Sequence, residues 1–237
     1  MFRFSLLLIA LLPFHLQAQD CSQLPWDANI TYQANRIDGG WRTASNIASD
    51  ALLPLSIGTT TALYLHGILQ INAFAGQNPQ ETWRYSSESG LQLGVTMGVT
   101  YGLTAAFKAL FSRDRPYVAY PDCITGYASS MDGSMPSGHS AGSAALATTL
   151  SLRYPEWYVI GPSVAYALYT GFSRLNLGMH YLTDVLAGYA LGVLVALGVH
   201  ALNEELFDLC DPILPEQLST HAALTTSTTL ISYSISF

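Results

Sequence analysis

Three short clusters of polar residues flank the apolar segments of this chain, and their side chains are of types that bind and transfer phosphoryl groups. A phosphoryl group in transfer spreads negative charge over three equatorial oxygens, so a catalyst needs fixed cations and N–H donors around it. A histidine with a carboxylate partner adds a nucleophile, and a second histidine adds a general acid. The clusters are Lys108 with Arg115 and Pro116; Pro136, Ser137, Gly138 and His139; and Ser173 and Arg174 with His180 and Asp184.

The cations and the Ser-Gly pair predict a binding site for phosphate oxygens. Lys108, Arg115 and Arg174 supply three positive charges, and a guanidinium fork matches the geometry of phosphate oxygens. Ser137 is suited to cap the start of a helix, where the amides that follow, beginning with Gly138, would point at an anion. The sequence has no cluster of carboxylates to hold a metal, so we expect neither a metal nor another cofactor.

The third cluster predicts a histidine nucleophile. His180 and Asp184 are four residues apart, so on a helical turn they share a face and the carboxylate can accept the N–H of the imidazole. The other ring nitrogen is then free to attack phosphorus. His139 is the predicted general acid, which protonates the leaving oxygen and later activates the water that hydrolyses the phosphohistidine.

In this order the three clusters resemble the signature of the type 2 phosphatidic acid phosphatase superfamily. That signature is Lys, six residues, Arg-Pro; then Pro-Ser-Gly-His; then Ser-Arg, five residues, His, three residues, Asp, and the chain matches all eleven positions. The resemblance covers residues 51–203 and implies the same catalytic roles for the two histidines and for Asp184. It leaves Arg113 and Asp114, inside the first cluster, without a role.

The composition excludes two broad classes of protein. Half of the residues are hydrophobic and 11% are charged, which is far from the polar, highly charged composition of a disordered chain. Nine Lys and Arg against sixteen Asp and Glu give a net charge of -7, so the chain has no basic face to bind nucleic acid. The resemblance implies a lipid phosphate substrate and the bilayer as partners, and the sequence predicts no oligomeric state.

Five nearly uncharged segments separated by short polar ones predict the architecture. Each is near the roughly 20 residues that cross a bilayer as a helix. We therefore expect an all-α, membrane-embedded bundle of about five to six helices with the active site at the helix ends on one face. A soluble all-helical protein with buried helices is the alternative. The segments are residues 51–71, 89–107, 133–152, 157–173 and 185–203.

Small residues recur every four positions in two of these segments. Interior glycines destabilise a water-soluble helix by about 1 kcal/mol each, whereas in a bilayer such a row lets another backbone approach closely. The rows predict two tightly packed transmembrane helices. They are Gly90, Gly94, Gly98, Gly102 and Ala106, and Gly188, Gly192 and Ala196.

The chain divides into four segments by composition. The apolar run after Arg3 predicts an export signal, which is either cleaved or kept as a signal anchor. Apolar residues alternate with serine at 231–237, which is the period of a strand. The predicted segments are the signal at 1–19, an extracytoplasmic N-terminal segment at 20–50, the phosphatase bundle at 51–203, and an acidic loop with a strand-like tail at 204–237.

The cysteines and the remaining histidines have no motif around them. Three cysteines are too few for a disulfide scaffold, and none forms a C-x-x-C pair. Cys21 and Cys123 would lie on the same side of the membrane, so a bridge between them and two free thiols are both open alternatives. His66 and His200 lie within apolar segments, and we expect them to be structural.

The resemblance implies a lipid phosphatase whose site opens at the periplasmic face of a bacterial inner membrane. Its implied substrates are undecaprenyl diphosphate, phosphatidylglycerol phosphate or phosphatidic acid. A soluble periplasmic acid phosphatase of broad specificity shares the same clusters and is the main alternative. Vanadium haloperoxidases also share them but are usually much longer. A catalytically inactive membrane scaffold is the alternative of another class, and the complete set of motif residues argues against it.

Overall fold

The computed structural model describes residues 19–70, 79–128, 130 and 132–214. Within these ranges the chain is helical and contains no β-strand, which confirms the predicted all-α fold. The elements are a 3₁₀ helix at Cys21–Gln23, α1 at Trp26–Asn35, α2 at Gly40–Ile68, α3 at Pro79–Phe111, α4 at Pro116–Ala119, α5 at Gly138–Arg153, α6 at Trp157–Asn176, α7 at Leu182–Ala201, α8 at Asn203–Cys210 and a second 3₁₀ helix at Asp211–Ile213.

The long helices α2, α3, α5, α6 and α7 correspond to the five apolar segments, but α2 and α3 begin about ten residues before their segments. Helix α2 begins at Gly40 and α3 at Pro79. The first turns of α2 are polar in sequence, yet Ser45 and Ser49 are buried because these small side chains face the bundle. Residues 20–50 therefore contain α1 and the start of α2, and they pack on the bundle rather than forming a separate segment.

At the two ends of the chain, part of each predicted segment lies outside the described residues, and the described part of the acidic segment differs from the prediction. The predicted signal, except for its last residue, and the strand-like end of the tail lie outside the described residues. The acidic stretch after α7 was expected to be a loop, but it begins with α8. Glu204 and Glu205 lie in the first turn of α8, where carboxylates interact favourably with the helix dipole.

Helices α5 and α7 pack closely against each other. A Cβ atom added at Gly188 would lie 2.5 Å from the carbonyl oxygen of Ser137, and one added at Gly192 would overlap the carbonyl oxygen of Ala141. Only glycine allows backbones to approach this closely, so the predicted tight packing of α7 is confirmed.

The glycine row of α3 packs closely over only part of its length. A Cβ atom at Gly90 would lie 2.6 Å from the backbone nitrogen of Tyr64 on α2, as expected for a close contact. At Gly98 and Gly102 the same atom would meet nothing within 4 Å. The predicted tight packing of α3 therefore holds at Gly90 but not at Gly98 and Gly102, where α3 borders open space.

A groove lies between α2 and α3 beside this open half. It has a volume of about 230 Å³. Its walls are the apolar or small side chains of both helices and the bare backbone of α3. The lining residues include Leu53, Ile57, Thr60, Gly94, Gly98 and Tyr101.

The outer surface of the bundle is strongly apolar. On α2, Leu53 and Ile57 are 56% and 57% exposed, and on α7, Leu186 and Leu194 are 53% and 67% exposed. Exposed apolar faces of this extent mark contact with lipid or with another protein. Of the described helices, α2 and α7 are long and apolar enough to cross a membrane by length and composition.

The N-terminal helix α1 is attached to the loop that follows α4 at two points. Cys21, just before α1, forms a disulfide with Cys123, with 5.6 Å between their Cα atoms. At the other end of α1, the Asn35 side chain both donates to the Thr125 carbonyl and accepts from the Thr125 amide, each at 2.9 Å. Of the alternatives left by the sequence, the structure has the disulfide.

Loss of this disulfide should destabilise the protein measurably. The double substitution Cys21→Ser and Cys123→Ser removes a cross-link over 102 residues, and such bridges typically contribute about 2–4 kcal/mol. We expect Tm in detergent to fall by at least about 4 °C. Cys210→Ser is the matched control, because Cys210 is not in a disulfide. Equal Tm values for the two variants would contradict the stabilising role.

Candidate active site

The structure brings the predicted site residues together at one end of the bundle. A cavity of about 710 Å³ opens there, and six of the eight predicted residues line it. Ser137 and Asp184 lie behind its wall and are fully buried. The six lining residues are Lys108 near the end of α3, Arg115 before α4, Gly138 and His139 at the start of α5, Arg174 near the end of α6 and His180 before α7.

The start of α5 is fixed by Ser137. Its side chain accepts a hydrogen bond from the Ser140 amide at 3.3 Å and so caps the helix. Its own amide donates to the backbone carbonyl of Asp184 at 2.9 Å, which ties the start of α5 to the start of α7. The first turn of α5 therefore faces the cavity with its unbonded amides, an arrangement suited to an anion.

The ring of His180 has one tautomer that satisfies its contacts. Nδ1 lies 2.7 Å from the carbonyl oxygen of Ser134, which can only accept a hydrogen bond. Nε2 lies 3.3 Å from a guanidinium nitrogen of Arg115, which can only donate one. The network therefore assigns the proton to Nδ1 and the lone pair to Nε2.

Asp184 does not accept the hydrogen bond that was predicted from His180. Its Oδ2 lies 3.6 Å from Nδ1 of His180, which is too long for a hydrogen bond. The four-residue spacing would align the two side chains on a helix, but His180 precedes α7, which begins at Leu182. Asp184 instead accepts from the Tyr181 amide at 2.9 Å and from Arg113 at 2.6 Å.

The environment of His180 keeps its imidazole neutral. Burial lowers the pKa of His180 to about 4, and although nearby Asp184 opposes this, Arg174 and Arg115 lower the pKa further. The ring is therefore unprotonated at Nε2 throughout the neutral range. A buried histidine in this state has the lone pair that a nucleophile needs.

Arg115 and Lys108 are bound by a carboxylate that sequence reasoning missed. Asp132 accepts from Lys108 at 2.6 Å and from Arg115 at 2.7 Å. Burial alone would raise the pKa of Asp132, but hydrogen bonds from Lys108, Ser130 and Arg115 hold it well below its usual range. The Asp132 carboxylate thus occupies donors that a phosphate would need. Its position in a loop carries no periodic signal that could have identified it.

The guanidinium of Arg174 has an N–H donor that is not used in a hydrogen bond with the described residues. Its side chain is 4% exposed, and one terminal nitrogen contacts the hydroxyl of Ser49 on α2. Its buried Nε has no hydrogen-bond partner among the described residues. A buried guanidinium with an unused donor beside a cavity is a favourable contact for an anion. Within the described ranges, no group of three or more His, Cys, Asp or Glu residues could hold a metal ion.

A family comparison agrees with this geometry. Residues 89–208, just over half of the chain, match the family model of the PAP2 superfamily. The chain belongs to the PAP2 superfamily. The match begins within α3 and ends within α8, so it contains the three polar clusters and leaves out α1 and α2.

Two curated PAP2 relatives match parts of the chain. It is 33% identical over 86 residues to "Undecaprenyl-diphosphatase BcrC" of Bacillus subtilis (strain 168), which covers 36% of this chain and 43% of the relative. It is 46% identical over 66 residues to "Lipid A 1-phosphatase" of Porphyromonas gingivalis, which covers 26% of this chain and 14% of the relative. The chain therefore spans less than half of either relative.

Two solved structures share the fold. The transmembrane PAP2 type phosphatidylglycerolphosphate phosphatase of Bacillus subtilis is 24% identical, with a TM-score of 0.56 over 76% of this chain and 85% of that chain. LpxE of Aquifex aeolicus is 19% identical, with a TM-score of 0.56 over 76% of this chain and 97% of that chain. At these identities the likeness is one of fold.

The contact of Asp132 with the cations predicts a change in anion affinity. Asp132→Asn should lower the inhibition constant of inorganic phosphate by about fivefold, roughly 1 kcal/mol, because Lys108 and Arg115 then lose a competing carboxylate. The modest size reflects the half-exposed position of Asp132. The inhibition constant is measured by competition in a turnover assay.

Asp122→Asn is the matched control for this prediction. Asp122 lies in the same loop and accepts from the Gln19 amide at 3.2 Å, so its loss should leave phosphate inhibition unchanged. Weaker phosphate inhibition in Asp132→Asn would contradict the competition and would mean that the carboxylate positions the two cations for the substrate.

Proposed function

We propose that this PAP2 protein is a metal-independent phosphatase that hydrolyses lipid phosphates or diphosphates through a phosphohistidine intermediate. The observation that carries the proposal is the Nε2 lone pair of buried, neutral His180, next to Arg115 in a cavity that Lys108, Arg174 and His139 also line. Fixed side-chain cations supply the charge stabilisation that a metal provides in other phosphatases.

The first chemical step forms the phosphoenzyme. Nε2 of His180 attacks phosphorus, and a P–N bond forms as the P–O bond to the leaving group breaks. His139 enters this step protonated, donates that proton to the leaving oxygen and becomes neutral. The positive charge that develops on the imidazole is stabilised by the Ser134 carbonyl at Nδ1 and by the carboxylate of Asp184 nearby.

The second step releases phosphate. Neutral His139 takes a proton from a water molecule, whose oxygen attacks the phosphorus of the phosphohistidine as the P–N bond breaks. His180 leaves as the neutral ring with its proton still on Nδ1. Lys108, Arg115 and Arg174 stabilise the equatorial oxygens in both steps because the phosphoryl group passes through the same position.

The groove between α2 and α3 supports a lipid substrate. Leu53 and Tyr101 line both the groove and the catalytic cavity, so the two spaces adjoin. A phosphate in the cavity would therefore have an apolar path along α3 for its acyl or prenyl chain. The names of the relatives support undecaprenyl diphosphate and add lipid A to the candidates, which also include phosphatidylglycerol phosphate and phosphatidic acid.

The apolar outer surface supports a membrane location with the site at the periplasmic face. Exposed leucines on α2 and α7 match a lipid environment better than water. The Cys21–Cys123 disulfide adjoins the end of the bundle that carries the site, and disulfides persist in oxidising compartments such as the bacterial periplasm. We therefore assign the cavity to the periplasmic side of the inner membrane.

Removal of the nucleophile should abolish the phosphoenzyme. With a ³²P-labelled substrate quenched in alkali, wild-type protein should retain label as phosphohistidine, and His180→Ala should retain none and show no turnover. His200→Gln is the matched control, because His200 contacts Gln92 and Asn203 at the other end of α7. Retention of label by His180→Ala would contradict the mechanism.

Turnover by the wild-type protein should also be unaffected by EDTA. If EDTA removes the activity and magnesium restores it, the metal-independent charge stabilisation is contradicted.

A lipid chain in the groove should raise catalytic efficiency. We expect kcat/KM for undecaprenyl diphosphate or a phosphatidyl phosphate in mixed micelles to exceed that for p-nitrophenyl phosphate by at least about tenfold. Gly98→Leu should remove most of this advantage by filling the groove, and p-nitrophenyl phosphate should be unaffected. Gly102→Leu is the matched control, because Gly102 also has open space around it but does not line the groove.

Two outcomes would contradict the lipid substrate. Equal efficiency on water-soluble phosphates would favour a soluble periplasmic acid phosphatase of the same superfamily. A lipid preference that Gly98→Leu and Gly102→Leu leave equally intact would place the chain somewhere other than the groove.

A further inference from the structure

Arg113 links the buried carboxylate of Asp184 to the N-terminal helix. Its Nη1 donates to Asp184 at 2.6 Å, and its Nη2 donates to Asp27 of α1 at 3.0 Å. Its guanidinium carbon lies 3.8 Å from the centre of the Tyr181 ring. The side chain of Asp184 is fully buried and that of Asp27 is 10% exposed, so Arg113 is shared between two carboxylates that have little contact with water.

Asp27 also fixes the start of α7. One of its oxygens accepts from the Thr183 amide at 3.1 Å, and the other accepts from the Thr183 hydroxyl at 2.5 Å. Amides in the first turn of a helix have no partner within the helix, so α1 supplies a cap to α7 from outside. One turn further along α1, the Thr31 hydroxyl donates to the backbone carbonyl of His180 at 3.2 Å.

On the basis of the proposed function, we propose that Arg113 is a positioning residue that holds the Asp184 carboxylate in place and that Asp27 of α1 holds Arg113. Helix α1 and Asp27 lie outside the 89–208 match to the PAP2 family model. Helix α1 then contributes to the geometry of the active site through Asp27.

The position of Asp184 explains why such a residue is needed. A buried carboxylate is destabilised unless it is paired and hydrogen-bonded, and the His180 ring lies too far away to be its hydrogen-bond partner. Arg113 supplies the positive charge, and the Tyr181 amide supplies a second donor. Without Arg113, the nearest group able to balance Asp184 would be a protonated His180.

A protonated His180 has no lone pair on Nε2, so loss of Arg113 should move the acid limb of the pH profile. Removing the cation leaves more of the charge of Asp184 to stabilise imidazolium, which raises the pKa of His180 from its lowered value. Activity would then be lost at a higher pH as pH falls. The other charged or titratable groups around the cavity that His180 faces are the cations Arg115, Arg174 and Lys108, the ring of His139 and the carboxylates Asp132 and Asp50.

The test compares Arg113→Gln and Asp27→Asn with wild type in the full-length protein. Each should lower kcat by about tenfold while changing KM and the inhibition constant of phosphate by less than about twofold, because the three phosphate-binding cations are untouched. In an Asp184→Asn background, Arg113→Gln should add less than about twofold, since a residue that acts through Asp184 has nothing left to position. Arg36→Gln and Asp38→Asn are controls just after the end of α1, and both should behave as wild type.

The pH readout separates positioning from a general structural role. The acid limb of kcat/KM should shift upwards by at least about half a pH unit in Arg113→Gln. ¹⁵N NMR of labelled histidine follows the same titration of His180 in micelles without turnover. If Arg113→Gln does not fold, Arg113→Lys keeps the charge but loses the two-pronged contact, and we expect a smaller fall in kcat with an unshifted acid limb.

Each result decides a different statement. If the wild type is active and folded Arg113→Gln has an unchanged kcat, the positioning role is overturned and the proposed function stands. Additive effects of Arg113→Gln and Asp184→Asn on kcat would have the same meaning. Wild type that hydrolyses no phosphate ester would contradict the proposed function. In that case the NMR titration still decides the role of Arg113, and an unchanged titration in Arg113→Gln would overturn it.

Discussion

The imidazole of His180 is held between a group that can only accept a hydrogen bond and a group that can only donate one. The Ser134 carbonyl lies 2.7 Å from Nδ1, and a guanidinium nitrogen of Arg115 lies 3.3 Å from Nε2. These contacts place the lone pair on Nε2, so no separate base is needed to remove a proton from that nitrogen. In the proposed mechanism the other site residues depend on this constraint, because the cations and His139 line the same cavity as His180 and would surround the phosphorus that Nε2 attacks.

The packing of the bundle produces this arrangement. Gly188 and Gly192 let α7 approach α5 so closely that the Ser137 amide bonds to the Asp184 carbonyl. The start of α5, which carries His139, is thereby fixed beside the start of α7, which His180 precedes. A side chain at either glycine would push the helices apart and separate the two histidines. The same close approach is absent along the second half of α3, and the space left there is the groove proposed for the lipid chain.

Sequence reasoning could find the fold and the residues that line the cavity because both depend on local patterns. Apolar segments of helix length predict a bundle, and the motif spacings bring the cations and histidines to the same helix ends. The remaining contacts come from tertiary structure. Asp132 and Ser134 lie in a loop, and Asp27 reaches the site from a helix far away in sequence. The predicted His180–Asp184 hydrogen bond failed because helical spacing was applied to a histidine that precedes its helix.

The most direct test of this account is an experimental structure of the protein with orthovanadate, which adopts the trigonal bipyramidal geometry of phosphoryl transfer. The account predicts vanadium bonded to Nε2 of His180, equatorial oxygens within hydrogen-bond distance of Lys108, Arg115 and Arg174, and Nδ1 still bonded to the Ser134 carbonyl. The Asp132 carboxylate should have left the two cations that it now contacts. Vanadate bonded to His139, or held with Nδ1 of His180 facing it, would contradict the assignment of the nucleophile.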